Sequence, residues 1–416
     1  MKIFKFGGAS VKDAEGVRNV VQILQRTGYD DILIVISAMG KMTNAFEKLT
    51  DAYFHKNDEL PLLIDEVRAY YYEVITDLFK DKKRTVIDEI EILFTELTGF
   101  MIHNRSTNYN YVYDQMVSVA ELISTKIVSY YLNDVGIANS WIDVREYIIT
   151  NDDYRDAKVD WKLTEQHIKS NILSKKLYIT QGFIAKDTKG TTTTLGREGS
   201  DYSAGIFAYC LNAESLTIWK DVKGVLNADP RYFKETQLLE QISYTEAIEL
   251  AFYGASVIHP KTLQPLQKKE IPLYVKSFIK PENNGTTVSR GVHIVPETPC
   301  FIVKKNQILL SISSIDFSFI VERNISEIFE LLHRNKMKVN LIQNSAISFS
   351  VCLHDEYQNF EKLLDQLKKK FKIEFNKEVS LYTIRHFDEE AIKKIEKDNK
   401  ILLKQLSKET VQIVIR

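Results

Sequence analysis

The chain has 416 residues, 44% hydrophobic and 27% charged, a composition typical of a globular protein with two or three domains. Its 55 Lys and Arg residues balance 56 Asp and Glu residues, so the net charge of -1 argues against partners such as nucleic acid or anionic membranes. Cys210, Cys300 and Cys352 form no CxxC pair, and no eighteen-residue apolar window occurs. We therefore expect a cytoplasmic protein without disulfides, zinc site or membrane span.

Strand and helix signals alternate through the first 290 residues. A short strand at 1–6 ends in two glycines and is followed by helical spacing at 11–24, and 32–36 is a continuous apolar strand. Residues 43–135 carry helical periods. Further strands are predicted at 140–144, 177–184, 215–219 and 271–275, and a helix at 203–212. This alternation predicts an α/β fold with a mostly parallel sheet between helices.

The predicted order of strands and helices changes after a stretch rich in Pro and Gly at 280–299, where we place a domain boundary. Residues 303–378 follow a β-α-β-β-α-β order, which is the ferredoxin-like split. Residues 379–416 repeat a shorter version that lacks a last helix. We therefore predict a catalytic domain at 1–290, one complete regulatory unit and one truncated unit.

The motif KFGGAS at 5–10 has the composition of a phosphate-binding turn. Gly7 and Gly8 let backbone N–H groups approach an anion, Lys5 adds a positive charge, and Ser10 adds a hydroxyl. The alternative is an ordinary tight turn between strand and helix. Ser37 follows the next strand, where the crevice of an open α/β sheet is expected.

Two further segments carry polar side chains at predicted strand-to-helix junctions. In TTTTLGREGSD at 191–201, Arg197 can bind a carboxylate and Asp201 can lie near a transferred phosphate; alternatively Ser200 or Asp201 is only a helix N-cap. In WKDVKGVLNADPR at 219–231, polar groups could hold a nucleotide, or the segment is a surface turn. His259 has no His or Cys partner at ligand spacing, so we expect no metal held by the protein alone.

In order along the chain, these motifs together with VAELIST at 119–125, WIDVRE at 141–146, ITQGFIA at 179–185 and GASVIHPKTLQP at 254–265 resemble the aspartate kinase family. The resemblance implies an amino-acid kinase fold, with an eight-stranded mostly parallel sheet, followed by paired ACT regulatory domains. It also implies transfer of a phosphate from ATP, with Mg²⁺ on the phosphates, to L-aspartate. The product is 4-phospho-L-aspartate, the entry to lysine, threonine and methionine synthesis.

The resemblance also implies a role for each matched residue. Lys5 would contact the transferred phosphate, Asp201 would position Lys5, Glu121 would bind the substrate ammonium and Arg197 a substrate carboxylate. The implied substrate-binding set is Ser37, Glu121, Arg197 and Ser200. The implied nucleotide-binding set is Gly7, Gly8, Ser10, Asp221, Asp229 and Arg231.

Several positions depart from the family pattern. The family commonly has Thr, Gly, Thr, Tyr and Lys at the positions held here by Ala9, Glu198, Lys220, Leu226 and Ser256. A lysine at position 256 would contact ATP phosphate, so its absence leaves the source of that charge open among Lys220, Lys223 and Lys261. Two alternative functions also stay open: an ACT-type amino-acid sensor with a weakened kinase domain, and a kinase for another amino acid or carbamate.

The predicted regulatory loop spans 339–348, with Val339, Asn340, Asn344 and Ser345 as candidate effector contacts. Asn340 and Ala346 replace acidic residues usual in lysine-sensitive enzymes, so we expect weak or no inhibition by lysine, while an effector with a neutral side chain remains open. A strand at 347–353 is interpreted as an edge strand that pairs with its equivalent in a second chain. The expected assembly is a homodimer through 303–416.

Overall fold

The computed structural model describes residues 1–255, 258–316 and 318–416. These residues divide into two compact units: the first holds 1–225, 238–248 and 258–293, and the second holds 226–237, 249–255 and 294–416. Within the described ranges, no helix is both long and apolar enough to cross a membrane. Ser256, whose replacement of a lysine was noted above, lies outside the described residues.

Up to residue 293 the chain alternates between strands and helices, as predicted. The strands are β1 Lys2–Phe6, β2 Ile32–Ile36, β3 Ser140–Trp141, β4 Ile149–Thr150, β5 Leu177–Gln181, β6 Ile184–Asp187, β7 Thr192–Thr194, β8 Ser215–Lys220, β9 Gln241–Ser243, β10 Leu273–Ser277 and β11 Thr286–Ser289. The helices are α1 Ala14–Thr27, α2 Met42–Phe54, α3 Leu60–Leu78, α4 Lys83–His103, α5 Tyr109–Asp134, α6 Trp161–Asn171, α7 Gly199–Leu211, α8 Tyr244–Tyr253 and α9 Pro260–Lys269.

Eight of these strands form one sheet in the order β3-β5-β2-β1-β8-β10-β11-β9. All of its pairings are parallel except that of β10 with β11. Every residue of β2 and β5 is buried, which requires cover on both faces of the sheet. The predicted α/β class with a mostly parallel eight-stranded sheet is confirmed.

Two of the predicted strands are shorter than the apolar runs suggested. Residues 177–184 form two strands rather than one, because Gly182 and Phe183 interrupt the ladder and Phe183 has a φ of 70°. The strand predicted at 140–144 ends at Trp141 and gives way to a 3-10 turn at Val144–Glu146. In both places the strand ends three residues earlier than the apolar run predicts.

The second unit contains a six-stranded antiparallel sheet and three helices. Its elements in chain order are β12 Cys300–Ser314, α10 Glu322–Arg334, β13 Lys338–Asn344, β14 Ser348–His354, α11 Phe360–Leu367, β15 Phe371–Arg385, α12 Glu389–Glu396, β16 Ile401–Leu406 and β17 Thr410–Ile415. From β12 to β15 this is the predicted β-α-β-β-α-β order. Buried side chains of α10 and α11, among them Ile328, Leu332 and Leu363, form the core beneath the sheet.

The strand order β13-β14-β12-β15-β17-β16 corrects one prediction. Strand β14, which covers most of the 347–353 run, is not an edge strand, because it pairs with β13 on one side and β12 on the other. The edges are β13 and β16. The proposed division at 378/379 falls inside β15, whose 380–385 part pairs with β17 while the residues on both sides of 379 pair with β12. The first residues of β12 pair with residues 381–385 of β15 and thus add a strand to the shorter unit predicted at 379–416.

Candidate active site

The candidate active site is a cavity of about 550 Å³ in the first unit, at the ends of β1, β2 and β8 and at the start of α7. Carboxyl ends of neighbouring parallel strands are the usual binding edge of such a sheet. Six predicted residues line it: Lys5, Ser37, Glu121, Arg197, Ser200 and Asp201. The others at its wall are Thr43, Asn44, Glu47, Tyr113, Arg155, Phe183, Thr194, Gly196, Glu198, Gly199 and Lys220.

Asp201 is the electrostatic centre of this cavity. Its Oδ1 lies 2.6 Å from Lys5 Nζ, its Oδ2 lies 3.3 Å from Lys220 Nζ, and its side chain is only 3% exposed. Burial favours the protonated carboxyl, but the positive charges of Lys5 and Lys220 outweigh burial and lower the pKa of Asp201. The carboxylate is therefore ionised and holds two ammonium groups at the cavity wall.

Local packing fixes the start of α7 against the end of the sheet. A Cβ on Gly182 would lie 2.5 Å from Ser200 Cβ, so only glycine lets the helix approach β5 this closely. Helix α7 begins at Gly199, four residues earlier than predicted, and its N-cap residue is Glu198. Ser200 and Asp201 therefore lie in the first turn, and neither is the N-cap considered in the sequence analysis.

The glycine turn after β1 lies beside the lysine rather than along the cavity wall. A Cβ on Gly7 would sit 3.6 Å from Lys5 Nζ, and one on Gly8 would sit 2.7 Å from the carbonyl oxygen of Ala38. Gly8 thus permits close approach of two backbone turns. Ser10 is buried, and its Oγ donates to the carbonyl oxygen of Trp219 at 3.4 Å.

Glu121 projects from α5 into the cavity and is only 2% exposed. Burial raises its pKa to about 8, although the charge of Lys5 and the N–H of Ala38 oppose this rise. Among the described residues, its Oε2 has no hydrogen-bond partner. The ionised form of a buried acid of this kind is stabilised when a cation binds beside it in the cavity.

Glu198 is a site residue that motif reading did not identify. Its backbone is left-handed, with φ 53° and ψ 29°, and its side chain lines the cavity. Burial raises its pKa, with Lys220 lowering it and Asp201 raising it. The only sequence signal was that Glu198 and Lys220 both depart from the family pattern, although 22 positions separate them in the chain.

Arg155 was also missed, because it comes from a loop with no motif. Its guanidinium lies 4.3 Å from the centre of the Tyr113 ring, and its backbone N–H donates to Asp114 Oδ2 at 3.1 Å. Asp114 also accepts from the N–H and Oγ1 of Thr194, each at 2.8 Å. Burial raises the pKa of Asp114 to about 6. This buried acid connects Arg155 and Thr194 at the cavity wall.

Like the glycine turn, the three other predicted nucleotide contacts do not line the cavity. Asp221 is exposed and follows Lys220. Asp229 and Arg231 belong to the 226–237 segment of the second unit, where the guanidinium donates to the carboxylate at 2.6 Å. Their roles stay predictions. Within the described ranges, no group of three or more His, Cys, Asp or Glu side chains is placed to hold a metal ion.

Comparison with known proteins gives a consistent result. Residues 1–277 match the amino acid kinase family. The chain is 31% identical over 355 residues to lysine-sensitive aspartokinase 3 of Escherichia coli, covering 84% of this chain and 78% of that protein. It is 30% identical over 400 residues to a bifunctional aspartokinase/homoserine dehydrogenase of Buchnera aphidicola, covering 90% of this chain and spanning 47% of the length of that protein.

Solved structures extend the similarity to the whole chain. Two structures of E. coli aspartokinase III, one with lysine and aspartate and one with aspartate and ADP, each match with a TM-score of 0.83 and 27% identity. Each alignment covers 100% of this chain, and it covers 95% and 96% of those chains, respectively. The similarity therefore includes both the cavity-bearing unit and the antiparallel regulatory sheet.

Proposed function

The chain belongs to the amino acid kinase family and is an ATP-dependent aspartate kinase, and we propose that its cavity transfers the γ-phosphate of ATP to the β-carboxylate of L-aspartate. The observation that carries this proposal is that one cavity holds two carboxyl groups with different surroundings. Asp201 lies between two lysines, whereas Glu121 is buried with an unpartnered oxygen. The first arrangement suits a phosphate and the second suits an ammonium group.

The substrate end of the cavity is built from Glu121, Arg197 and Ser37. Glu121 would accept the α-ammonium of aspartate, and the exposed guanidinium of Arg197 would bind the α-carboxylate. Ser37 and Ser200 would contribute hydroxyl contacts at the same wall. Two fixed contacts at the α-carbon would direct the β-carboxylate toward Lys5, which is the orientation that transfer requires.

The chemistry needs alignment and charge neutralisation more than a base, because the β-carboxylate of aspartate is already ionised at pH 7. A carboxylate oxygen forms a bond to the γ-phosphorus, the bond between that phosphorus and the β,γ-bridging oxygen breaks, and ADP leaves with the electron pair. Lys5 would neutralise charge on the transferred group. Asp201 holds the Lys5 ammonium in place at 2.6 Å.

The nucleotide would bind with its phosphates toward the glycine turn of Gly7, Gly8 and Ser10, where backbone N–H groups are available. Mg²⁺, when bound with ATP, supplies charge neutralisation on the phosphates. Both oxygens of Asp201 are already taken by lysines, so the ion would be held mainly by the nucleotide. The roles proposed for Asp221, Asp229 and Arg231 on the ATP side rest on the resemblance alone.

Regulation is proposed for the second unit. Val339, Asn340 and Asn344 lie on β13, with Ser345 directly after it, so the candidate effector contacts are on an edge strand of the sheet. Asn340 Oδ1 already accepts a hydrogen bond from Lys304 Nζ at 2.7 Å. An amino-acid effector would bind there, and the edge strand β13 would take part in a homodimer.

The test is aspartate-dependent release of ADP by the purified chain with ATP and Mg²⁺. Asp201→Asn should lower kcat by about 10²- to 10³-fold, because the lysines lose their common anchor. Asp365→Asn, at an exposed position of α11, is the matched control. A chain that releases no ADP would favour the alternative of a non-enzymatic amino-acid sensor. We propose that the reaction takes place in the cytoplasm, in keeping with three widely spaced cysteines that form no CxxC pair.

A further inference from the structure

We infer that Lys220 is a second catalytic lysine, which contacts the transferred phosphate together with Lys5 and has Glu198 as its counter-charge; this inference rests on the proposed function. Lys220 is the last residue of β8, whose neighbour in the sheet is β1. Lys5 lies opposite Ile218, and Lys220 is two residues further along the same strand. Side chains two residues apart project to the same face, so both lysines approach the cavity from one side.

The distances show how the two lysines share one anchor. Asp201 gives one oxygen to Lys5 at 2.6 Å and the other to Lys220 at 3.3 Å. One carboxylate between two ammonium groups leaves a net positive charge at this wall of the cavity. The Lys220 side chain is 20% exposed, against 8% for Lys5, so its ammonium has more access to an entering anion.

Glu198 is a second acid at this cavity wall, and its ionised form would offset the remaining positive charge. Its side chain lines the same cavity, and its Oε2 has no hydrogen-bond partner among the described residues. Burial raises the pKa of Glu198, and the charge of Lys220 opposes this rise. A phosphate that enters beside Lys220 would be repelled by an ionised Glu198 and attracted once Glu198 is neutral. The pair therefore sets how strongly the cavity holds a γ-phosphate.

The structure also distinguishes Lys220 from Lys223 and Lys261, the two other lysines considered as replacements for the positive charge missing at position 256. Lys261 does not line the cavity, and its Nζ contacts Asp156 Oδ1 at 2.5 Å and the Leu195 carbonyl oxygen at 3.5 Å. Lys223 is exposed and is not part of the cavity wall. Of the three, only Lys220 combines a place in the cavity with a contact to Asp201.

The decisive experiment compares the affinities of ATP and ADP, measured by calorimetry with Mg²⁺ and without aspartate. Lys220→Met should weaken ATP binding by about 10- to 100-fold, the range for a lost charged hydrogen bond, and leave ADP binding within about threefold. Lys220→Arg should keep most of the ATP affinity. Glu198→Gln should change it in the opposite direction and tighten ATP binding. Lys2→Met, at the opposite end of β1, is the control.

Kinetics supply the second readout. With aspartate present, Lys220→Met should lower kcat by a similar factor while the KM for aspartate stays within about twofold. If Lys220→Met does not fold, Lys220→Gln takes its place. Equal losses of ATP and ADP affinity, or no loss of either, would overturn the assignment. If the unmodified chain fails to phosphorylate aspartate, the proposed function is wrong, and the ATP and ADP affinities still decide the role of Lys220.

Discussion

Replacing Glu121 with glutamine keeps the size of the side chain, removes its charge, and should weaken aspartate binding while making the protein more stable at alkaline pH. Both effects follow from one feature, which is a carboxyl group buried in the cavity with one unpartnered oxygen. The charge is costly in the empty cavity and useful when an ammonium group binds.

The effect on stability can be worked out from the pKa. Burial raises the pKa of Glu121 from 4.5 to about 8. Between these pH values the folded chain keeps a proton that the unfolded chain has released, so the free energy of unfolding falls as pH rises, by about 1.4 kcal/mol per pH unit. Over the whole window this amounts to about 5 kcal/mol. Glu121→Gln removes this loss, so its stability advantage should be large at pH 8 and small at pH 5.

The effect on substrate binding has the opposite sign. A charged hydrogen bond to the ammonium is worth about 1.5 to 3 kcal/mol, so Glu121→Gln should raise the KM for aspartate by about 10- to 150-fold. In the unmodified chain, aspartate must bind to ionised Glu121. Its KM should therefore fall by up to about tenfold for each pH unit from 6.5 to 8 and then level off. The variant should show no such slope.

The assay is the initial rate of ADP release at saturating ATP and Mg²⁺ between pH 6.5 and 8.5, combined with urea unfolding at pH 5 and pH 8. Glu66→Gln, at an exposed position of α3, is the control and should match the unmodified chain in both measurements. An unchanged KM for aspartate would show that the ammonium binds elsewhere. Equal stability of the variant and the unmodified chain at pH 8 would show that Glu121 is ionised in the empty cavity.

Four further outcomes are expected. Lys5→Met should lower kcat by about 10²- to 10³-fold with an unchanged circular dichroism spectrum, and retention of a tenth of the activity would contradict its role. Glu198→Gly should raise the free energy of unfolding by about 1 kcal/mol in urea titrations, because glycine tolerates the left-handed backbone; a loss of stability would refute this reasoning. L-Lysine should inhibit weakly or not at all, since Asn340 offers no carboxylate and already accepts from Lys304; inhibition at micromolar concentration would contradict this reading. Sedimentation should show a dimer, and a monomer at assay concentration would rule out the proposed interface.

The sequence predicted those parts of the cavity that come from contiguous motifs. Lys5 and Asp201 each stand in a short segment where a strand meets a helix, and such segments keep their local geometry in any α/β sheet. The resemblance implied that Asp201 positions Lys5, and the two side chains lie 2.6 Å apart in the structure. Buried strands such as β2 were equally clear, because a continuous apolar run has few alternatives.

Features that depend on distant parts of the chain could not be predicted in this way. Arg155 and Tyr113 meet through a ring contact between a loop and a helix, and no local pattern marks either residue. Glu198 and Lys220 line one cavity only because the start of α7 lies near the end of β8. The strand at 347–353 was assigned to an edge because its own sequence does not reveal that β13 covers it. Pairing order is a property of the whole sheet.

The most direct test of the account is to trap the product. With the unmodified chain, ATP, Mg²⁺ and L-aspartate, hydroxylamine should convert the acyl phosphate into aspartyl hydroxamate in an amount equal to the ADP released. Glutamate in place of aspartate should give neither product. ADP release that does not depend on aspartate, or release without hydroxamate, would contradict the assignment of the β-carboxylate as the phosphate acceptor.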